Sequence, residues 1–170
     1  MSLTLSQINA LDEKDFVRRI GPVFENSPWI AGTTFARRPF ANLAALHHAL
    51  CETVKRSGEA KQSGLIRNHP DLVGKLAQAG KLTQESTREQ AAAGLDQLSP
   101  EEIALFEKQN AAYQSKFGFP FVICARLNKK AAILAGFGSR LQNSREQEIE
   151  TALEEIFKIA ELRLRDLVHQ

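Results

Sequence analysis

Hydrophobic residues recur at the spacing of one helical face along most of the 170-residue chain. The first stripe contains Phe16, Val17 and Ile20, and Asp12 precedes it as a predicted N-cap. Comparable stripes predict further helices from Leu43 to about Ser57, over 60–67, from Asp71 to about Gly80, from Pro100 to Phe117, from Asn128 to about Leu141, and from Ser144 to about Val168.

Two of these helices begin with a strong capping signal. Ser99 is followed by a proline and then by Glu102, the pattern of a capping box with proline in the first turn. Gly118 ends the same helix. Ser144 with Gln147 forms a second capping box, which opens the final helix.

Other boundaries rest on weaker signals. Asp71 and Asn128 are predicted caps of the helices that follow them. Gly136 and Gly138 weaken the second of these helices by about 1 kcal/mol each relative to alanine. Residues 27–40 contain prolines and a glycine, and we expect an irregular connection there.

The pattern favours an all-α fold. No segment shows sustained alternation of apolar and polar residues, and FVICA at 121–125 is the only candidate strand. One strand cannot form a sheet. We therefore predict a single domain over 1–170, a helical bundle of about seven to nine helices with one short extended segment.

Composition excludes two classes of partner. The formal net charge is +2 and basic residues are interspersed with acidic ones, so no concentrated basic surface for nucleic acid is expected. The longest strongly apolar stretch, 119–125, is far shorter than the roughly 20 residues that cross a bilayer.

Cys51 and Cys124 lie in apolar surroundings, and the N-terminal residues lack a signal-peptide pattern. We therefore expect a cytoplasmic protein.

An arginine falls on the apolar stripe of the final helix. At about 100° per residue, Arg163 lies among Ile149, Leu153, Ile156 and Leu164. A buried guanidinium is costly unless an anion meets it. Arg163 therefore either reaches the rim, pairs with a structural carboxylate, or binds an anionic group of a substrate.

His69 is the candidate acid/base residue. It precedes Pro70, so its backbone is biased toward an extended conformation at a junction between two helices. Histidine has a reference pKa of about 6.5, near neutrality. A structural role for this side chain is the alternative to a catalytic one.

The segment 82–98 contributes a third candidate group. Ser86 and Glu89 have the spacing of a capping box, and that alone would explain them. Combined with a histidine and an inward-facing arginine, however, Glu89 could orient a general acid/base. Both interpretations remain open from the sequence.

Several familiar sites are excluded by spacing. Gly74 and Lys75 do not form a phosphate loop, no Cys or His pair has metal-ligand spacing, and no nucleophile-turn motif is present. Cys124 is predicted to be packing. Adjacent His47 and His48 point about 100° apart, and His169 is expected to fray.

Three blocks of sequence resemble the signature segments of 2-oxo-4-hydroxy-4-carboxy-5-ureidoimidazoline (OHCU) decarboxylases. They are NHPDLVGKLA at 68–77, LTQESTREQAAAGLDQL at 82–98 and NAAYQSKFGFPFVICAR at 110–126, with ENSPWIA at 25–31 and ALEEIFKIAELRLRDLV at 152–168 fitting the flanking regions. The resemblance covers nearly the whole chain, in order, and we notice no departure at the motif positions.

The resemblance implies an all-helical homodimer that decarboxylates OHCU without metal or organic cofactor. The family's catalytic histidine corresponds to His69, its partner glutamate to Glu89 and its arginine on the final helix to Arg163. Substrate-binding positions implied in the same way are Pro70, Ser86, Thr87, Arg88, Gln90, Phe121, Val122, Ile123, Cys124 and Ala125. The expected product is (S)-allantoin, formed in urate degradation.

Two other functions are compatible with the residues. A non-catalytic helical interaction module would explain Arg163 as a structural ion pair and use Ile159 and Leu162 as a partner-binding face. Those two residues could equally serve a homodimer. The third possibility is a family member that acts on a related ureido-heterocycle.

Overall fold

The computed structural model describes residues 3–169, apart from the side chain of Leu76. Helices occupy most of this range, which confirms the all-α fold class. The α-helices are α1 Leu5–Ala10, α2 Glu13–Ile20, α3 Trp29–Thr34, α4 Leu43–Lys55, α5 Glu59–Arg67, α6 Lys75–Gln78, α7 Gln84–Ala92, α8 Pro100–Phe117, α9 Lys130–Arg140 and α10 Arg145–Leu167. Single 3-10 turns lie at Gly21–Val23, Phe35–Arg37 and Ala125–Leu127. None of the described helices is long and apolar enough to cross a bilayer.

A two-residue parallel ladder joins residues near the two ends of the described chain. β1 (Leu3–Thr4) pairs with β2 (Val168–His169), so that Thr4 lies opposite His169. Thr4 also caps α1, whose third residue, Gln7, completes the capping box. The expectation that His169 frays was wrong, because its backbone belongs to this ladder.

The strongest capping predictions are confirmed. The Asp12 carboxylate accepts a hydrogen bond from the Asp15 N–H at 2.8 Å. Ser99 and Glu102 form both halves of the capping box of α8. At the start of α10, Ser144 Oγ accepts from the Gln147 N–H, and the Gln147 side chain accepts from the Ser144 N–H.

Three local predictions were wrong. Residues 27–40 contain α3, because Pro28 lies at its N-cap, where a missing N–H costs nothing, and Pro39 lies beyond its end. Asp71 does not cap α6, since Gly74 occupies that position. Asn128 does not cap α9, which begins at Lys130, and its side chain instead donates to the Cys124 carbonyl at 2.9 Å.

The segment FVICA at 121–125 runs outside any strand. Cys124, at its end, has an extended backbone and leads into the 3-10 turn Ala125–Leu127. Among residues 3–169, ladder pairing occurs only between β1 and β2. The backbone polar groups of this segment therefore need partners other than a neighbouring strand.

The chain divides into two compact units, and the division falls within α10. The first comprises residues 1–68 and 157–170, of which 3–68 and 157–169 are described. Its fully buried side chains include Ile8, Phe16, Ile20, Ile30, Leu46, Leu50, Val54 and Leu164. Ile159 is 7% exposed in this unit and Leu162 is half-buried, so the two do not form the open partner-binding face that the interaction-module hypothesis requires.

The second unit, residues 69–156, has an aromatic core. Tyr113 of α8 lies with its ring centroid 4.7 Å from that of Phe117 and 5.2 Å from that of Phe121. Phe121 stacks on Phe137 of α9 at 3.9 Å. These contacts fix the start of the FVICA segment against α8 and α9.

A buried charge network holds the backbone of the same segment. Arg140 at the end of α9 donates through Nε to Glu148 Oε1 at 2.5 Å and through Nη1 to the Val122 carbonyl at 2.5 Å. Tyr113 Oη also donates to Glu148, and Asn143 donates to its second oxygen. Glu148 is 0% exposed, so its charge depends on these donors for compensation.

The two glycines of α9 differ in what surrounds them. A Cβ on Gly136 would lie 3.4 Å from Phe121 Cζ, whereas a Cβ on Gly138 would meet nothing within 4 Å. Gly136 thus allows the ring of Phe121 to approach the helix closely.

We predict that Gly138→Ala raises the free energy of unfolding by up to about 1 kcal/mol, because alanine favours the helix. The gain from Gly136→Ala should be smaller or negative, since the added methyl group meets Phe121. Urea unfolding of both variants beside the wild type provides the measurement. Equal gains would contradict the close approach inferred at Gly136.

Candidate active site

His69 lies on a short turn between α5 and α6. Its side chain is 7% exposed, and Pro70 follows it. Val73 in the same turn has φ 55°, in the left-handed region. For a β-branched residue that conformation is a true outlier and costs about 1–2 kcal/mol, so other interactions must hold the turn in place.

Three side-chain amides hold this turn. The Val73 N–H donates to Gln90 Oε1 at 3.1 Å, and Asn110 Nδ2 donates to the Leu72 carbonyl at 2.8 Å. Gln78 Nε2 donates to the Val73 carbonyl at 3.0 Å. The backbone three and four residues after His69 is thereby tied to α6, α7 and α8.

Close packing inside the turn involves Asp71 and Gly74. A Cβ on Gly74 would lie 2.7 Å from Asp71 Cβ, a separation that real side chains do not adopt. Asp71 is half-buried, and desolvation by burial raises the pKa of its carboxyl group. This carboxyl therefore binds its proton more tightly than an exposed aspartate does.

Helix α7 begins earlier than the capping-box interpretation of Ser86 and Glu89 requires. Thr83 is the N-cap, and its Oγ1 accepts from the Ser86 N–H at 3.2 Å. Ser86 and Glu89 are the third and sixth residues of the helix, so the capping-box interpretation was wrong. Both are buried, at 5% and 9% exposure, together with Gln90 at 7%.

Three polar side chains thus lie on the buried face of α7, and the opposite face of the helix is exposed to solvent. Ser86, Glu89 and Gln90 lie on the buried face, whereas Thr87 and Arg88 are exposed. The structure therefore does not bring the side chains of Thr87 and Arg88 onto the face that carries Glu89. Thr87 Oγ1 instead donates to the Thr83 carbonyl at 2.8 Å.

A cavity of about 410 Å³ runs along one flank of α7. Val73 and Gln90 line it together with Thr87 and apolar side chains. The hydrogen bond between Val73 and Gln90 therefore forms part of its wall. The remaining lining residues are Ala77, Gln78, Gly80, Leu82, Ala91, Leu95, Asp96, Leu98 and Ile103.

The predicted substrate-binding segment 121–125 packs against α7 through the 3-10 turn that follows it. Phe121, Val122, Cys124 and Ala125 are buried, and Ile123 is half-buried. The Cys124 N–H donates to Glu155 Oε2 at 2.8 Å, so this backbone donor is engaged within the protein.

The negative charge of Glu89 affects a side chain of the segment 121–125. Burial raises the pKa of the Cys124 thiol, and the negative charges of Glu155 and Glu89 add to that shift. The Glu89 carboxylate therefore lies near enough to contribute to the raised pKa of the Cys124 thiol. A thiol with a raised pKa is protonated at neutral pH, which agrees with the expectation that Cys124 is packing rather than a nucleophile.

Arg163 lies in the first unit and has a carboxylate partner there. Its Nη2 is 3.0 Å from Glu25 Oε2, and its Nη1 donates to the Pro22 carbonyl at 3.3 Å. The Arg163 and Glu25 side chains are 5% and 2% exposed. Of the alternatives that the sequence left open, pairing with a protein carboxylate is the one observed within this unit.

No metal centre is found in the described part of the chain, where no group of three His, Cys, Asp or Glu side chains has suitable geometry. Cys51 and Cys124 are both free and buried. Burial raises the pKa of Cys51 to about 12. Its Sγ lies 3.4 Å from His47 Nε2, which also contacts the Phe157 carbonyl at 2.8 Å.

Sequence reasoning missed two buried polar residues that organise the second unit, residues 69–156. Asn110 lies between Phe106 and Tyr113 on one face of α8, and Arg140 continues the Phe137 face of α9. A polar side chain on an apolar stripe was the signal that identified Arg163. The same test, applied to α8 and α9, would have found both.

Known proteins resemble this chain over nearly its full length. The OHCU decarboxylase of Amia calva is 42% identical over 98% of this chain and 95% of its own length. The OHCU decarboxylase of Halalkalicoccus jeotgali is 39% identical over 97% of this chain and 92% of its own length.

A crystal structure described as (S)-allantoin synthase has a similar fold, with a TM-score of 0.77 and 25% sequence identity. The match covers 98% of this chain and 54% of that chain, so this chain spans about half of that protein's length. The sequence model of OHCU decarboxylases matches residues 9–165. This chain belongs to the OHCU decarboxylase family.

Proposed function

We propose that this protein is a carbon–carbon lyase that decarboxylates OHCU to (S)-allantoin in urate degradation. The observation that carries the proposal is the buried His69 on a strained turn whose Val73 N–H donates to Gln90 of α7, the residue that follows the buried Glu89 in the chain. Backbone strain of the kind seen at Val73 is found most often at functional sites, which supports a catalytic role for this turn. The names of the relatives, and of the protein with the similar fold, agree with this reaction.

The chemistry fits a site built only from side chains. OHCU carries a carboxylate and a hydroxyl group on one ring carbon, and the bond from that carbon to the carboxylate breaks. The electron pair that CO2 leaves behind can be accepted by the adjoining imidazoline system, so we propose that no metal or organic cofactor takes part. Protonation of carbon from one face then sets the configuration of allantoin.

His69 is proposed as the general acid/base. An imidazole titrates near neutral pH and can move the hydroxyl proton of the substrate or the proton returned to carbon. Glu89 is proposed to orient the imidazole. Its 9% exposure means that water competes little for the carboxylate.

Arg163 is proposed to position an anionic part of the substrate. A planar guanidinium offers several N–H donors in a fixed fork, a geometry that suits a carboxylate or an oxyanion-like heterocycle. The ion pair with Glu25 would also orient the fork before substrate arrives.

The remaining implied binding residues are proposed to shape the pocket. Ser86 and Gln90 would act through buried side chains, while the exposed Thr87 and Arg88 would act through the backbone of α7. Pro70 and residues 121–125 would complete the wall. We further propose that residues 1–170 act as one domain in a cytoplasmic homodimer.

Replacement of His69 tests the central role. We expect His69→Asn to lower kcat by about 100- to 10,000-fold, because proton transfer is lost, while the midpoint of thermal unfolding stays near that of the wild type. OHCU generated from urate by urate oxidase and hydroxyisourate hydrolase provides an ultraviolet assay. The matched control is His48→Asn, since His48 is exposed on α4. Full activity in His69→Asn would remove the residue from its role.

Replacement of Arg163 separates anion binding from structure. We expect Arg163→Lys to lower kcat/KM by about 10-fold or more in folded protein, because one ammonium group cannot reproduce the guanidinium fork. Arg165→Lys is the control, since Arg165 is exposed and pairs with Glu161 on the surface. Reduced stability with unchanged kinetics would assign Arg163 to the structural ion pair alone.

Thr83 and Ser86, both at the start of α7, should respond in opposite ways to replacement by alanine. Thr83→Ala removes the N-cap and should lower the free energy of unfolding by about 1 kcal/mol with little change in kcat/KM. Ser86→Ala removes a buried hydroxyl group at the third position of the helix, and it should lower kcat/KM more than Thr83→Ala does. Urea unfolding and the OHCU assay on both variants decide the point. The reverse ranking would contradict the assignment of Ser86 to the pocket.

A further inference from the structure

We propose that Asn110 is a positioning residue, which keeps the turn that carries His69 in its catalytic conformation. The inference rests on the proposed function, because it gives Asn110 a role in the reaction through His69. Asn110 lies on α8, and its side chain contacts the backbone of the turn.

The contact is a single directed hydrogen bond. Asn110 Nδ2 donates to the Leu72 carbonyl at 2.8 Å, three residues after His69. Asn110 is 7% exposed, so water competes little for this bond. The amide therefore sets where the backbone carbonyl of Leu72 lies.

The helix fixes the amide in turn. Asn110 is flanked on the same face of α8 by Phe106 and Tyr113, both fully buried. The Tyr113 ring packs among four other aromatic rings of this unit. The Asn110 side chain thus connects a rigid aromatic core to the turn.

Packing alone does not explain an asparagine at this position. Asn110 Oδ1 is buried and has no hydrogen-bond partner among residues 3–169. A leucine of similar size would fill the space without leaving an unsatisfied polar atom. The bond to Leu72 is the compensating interaction that the structure offers.

The turn requires such a bond because Val73 is held at φ 55°. With the Leu72 carbonyl released, the backbone could rotate Val73 out of the left-handed region and carry His69 with it. Gln90 and Gln78 hold the N–H and the carbonyl of Val73. Asn110 holds the carbonyl of the peptide group that joins Leu72 to Val73, and Gln90 holds the N–H of that same group. Two amides therefore fix the peptide group before the Val73 Cα, and Gln78 fixes the one after it.

The decisive experiment combines Asn110→Leu with relief of the strain. We expect Asn110→Leu to lower kcat by about 10- to 100-fold, since a small displacement of a catalytic group has effects of that size. KM should change much less, because substrate contacts are not removed. Gln114→Leu, at an exposed position one turn along α8, is the matched control.

Val73→Gly tests the mechanism within the Asn110→Leu background. Glycine adopts positive φ without steric cost, so the turn no longer needs the amide to hold it. We expect the double variant to regain much of the lost kcat relative to Asn110→Leu, although it loses a buried valine side chain. A purely structural role for Asn110 predicts the opposite, because the double variant would be less stable and less active.

Gln78→Met provides a second test should Asn110→Leu not fold. Gln78 is exposed, and the variant removes only the donor to the Val73 carbonyl and a contact to Glu107. A drop in kcat that Val73→Gly reverses supports the positioning of the turn by amides. Wild-type kcat in folded Asn110→Leu, or no recovery in the double variant, overturns the inference about Asn110.

Different results would refute the proposed function and the positioning role of Asn110. Turnover of OHCU by the wild type, lost in His69→Asn, establishes the proposed function without reference to Asn110. An inactive wild type would refute that function, whereas an active wild type with a fully active Asn110→Leu would refute only the positioning role.

Discussion

The turn of residues 69–74 is held in a conformation that its own sequence disfavours. Val73 has a left-handed backbone, and Gly74 lies too close to Asp71 to accept any side chain. Three amide side chains from α6, α7 and α8 hold the backbone of this turn. The backbone that carries His69 is therefore fixed by hydrogen bonds made to residues that follow it in the turn.

Buried polar side chains in both units follow one physical rule. Asn110, Arg140, Glu148 and Arg163 lie on faces that are otherwise apolar, and each has a hydrogen-bond or ion-pair partner within its own unit. Removing a polar group from water is costly unless a partner replaces the water. In the second unit two of those partners, the Leu72 and Val122 carbonyls, belong to segments without regular structure, so Asn110 and Arg140 also hold the backbone near the candidate site.

Helix capping shows how a local motif can mislead. Ser86 and Glu89 have the spacing of a capping box, yet Thr83 caps α7 three residues earlier. The shift turns both residues onto the buried face, where their polar groups become candidates for binding and orientation. Asp71 and Asn128 were likewise expected as caps, and Asn128 instead bonds to the Cys124 carbonyl.

The sequence by itself determined the helices, most of their ends and the burial of Arg163, because periodicity and strong capping boxes depend on residues within a few positions of each other. It also indicated His69 and Glu89, through their chemistry and the family resemblance. Only the tertiary structure decided which partner each buried group takes, such as Glu25 for Arg163 and Leu72 for Asn110. Those partners are remote in the chain, and their pairing depends on how helices pack, which no local pattern encodes.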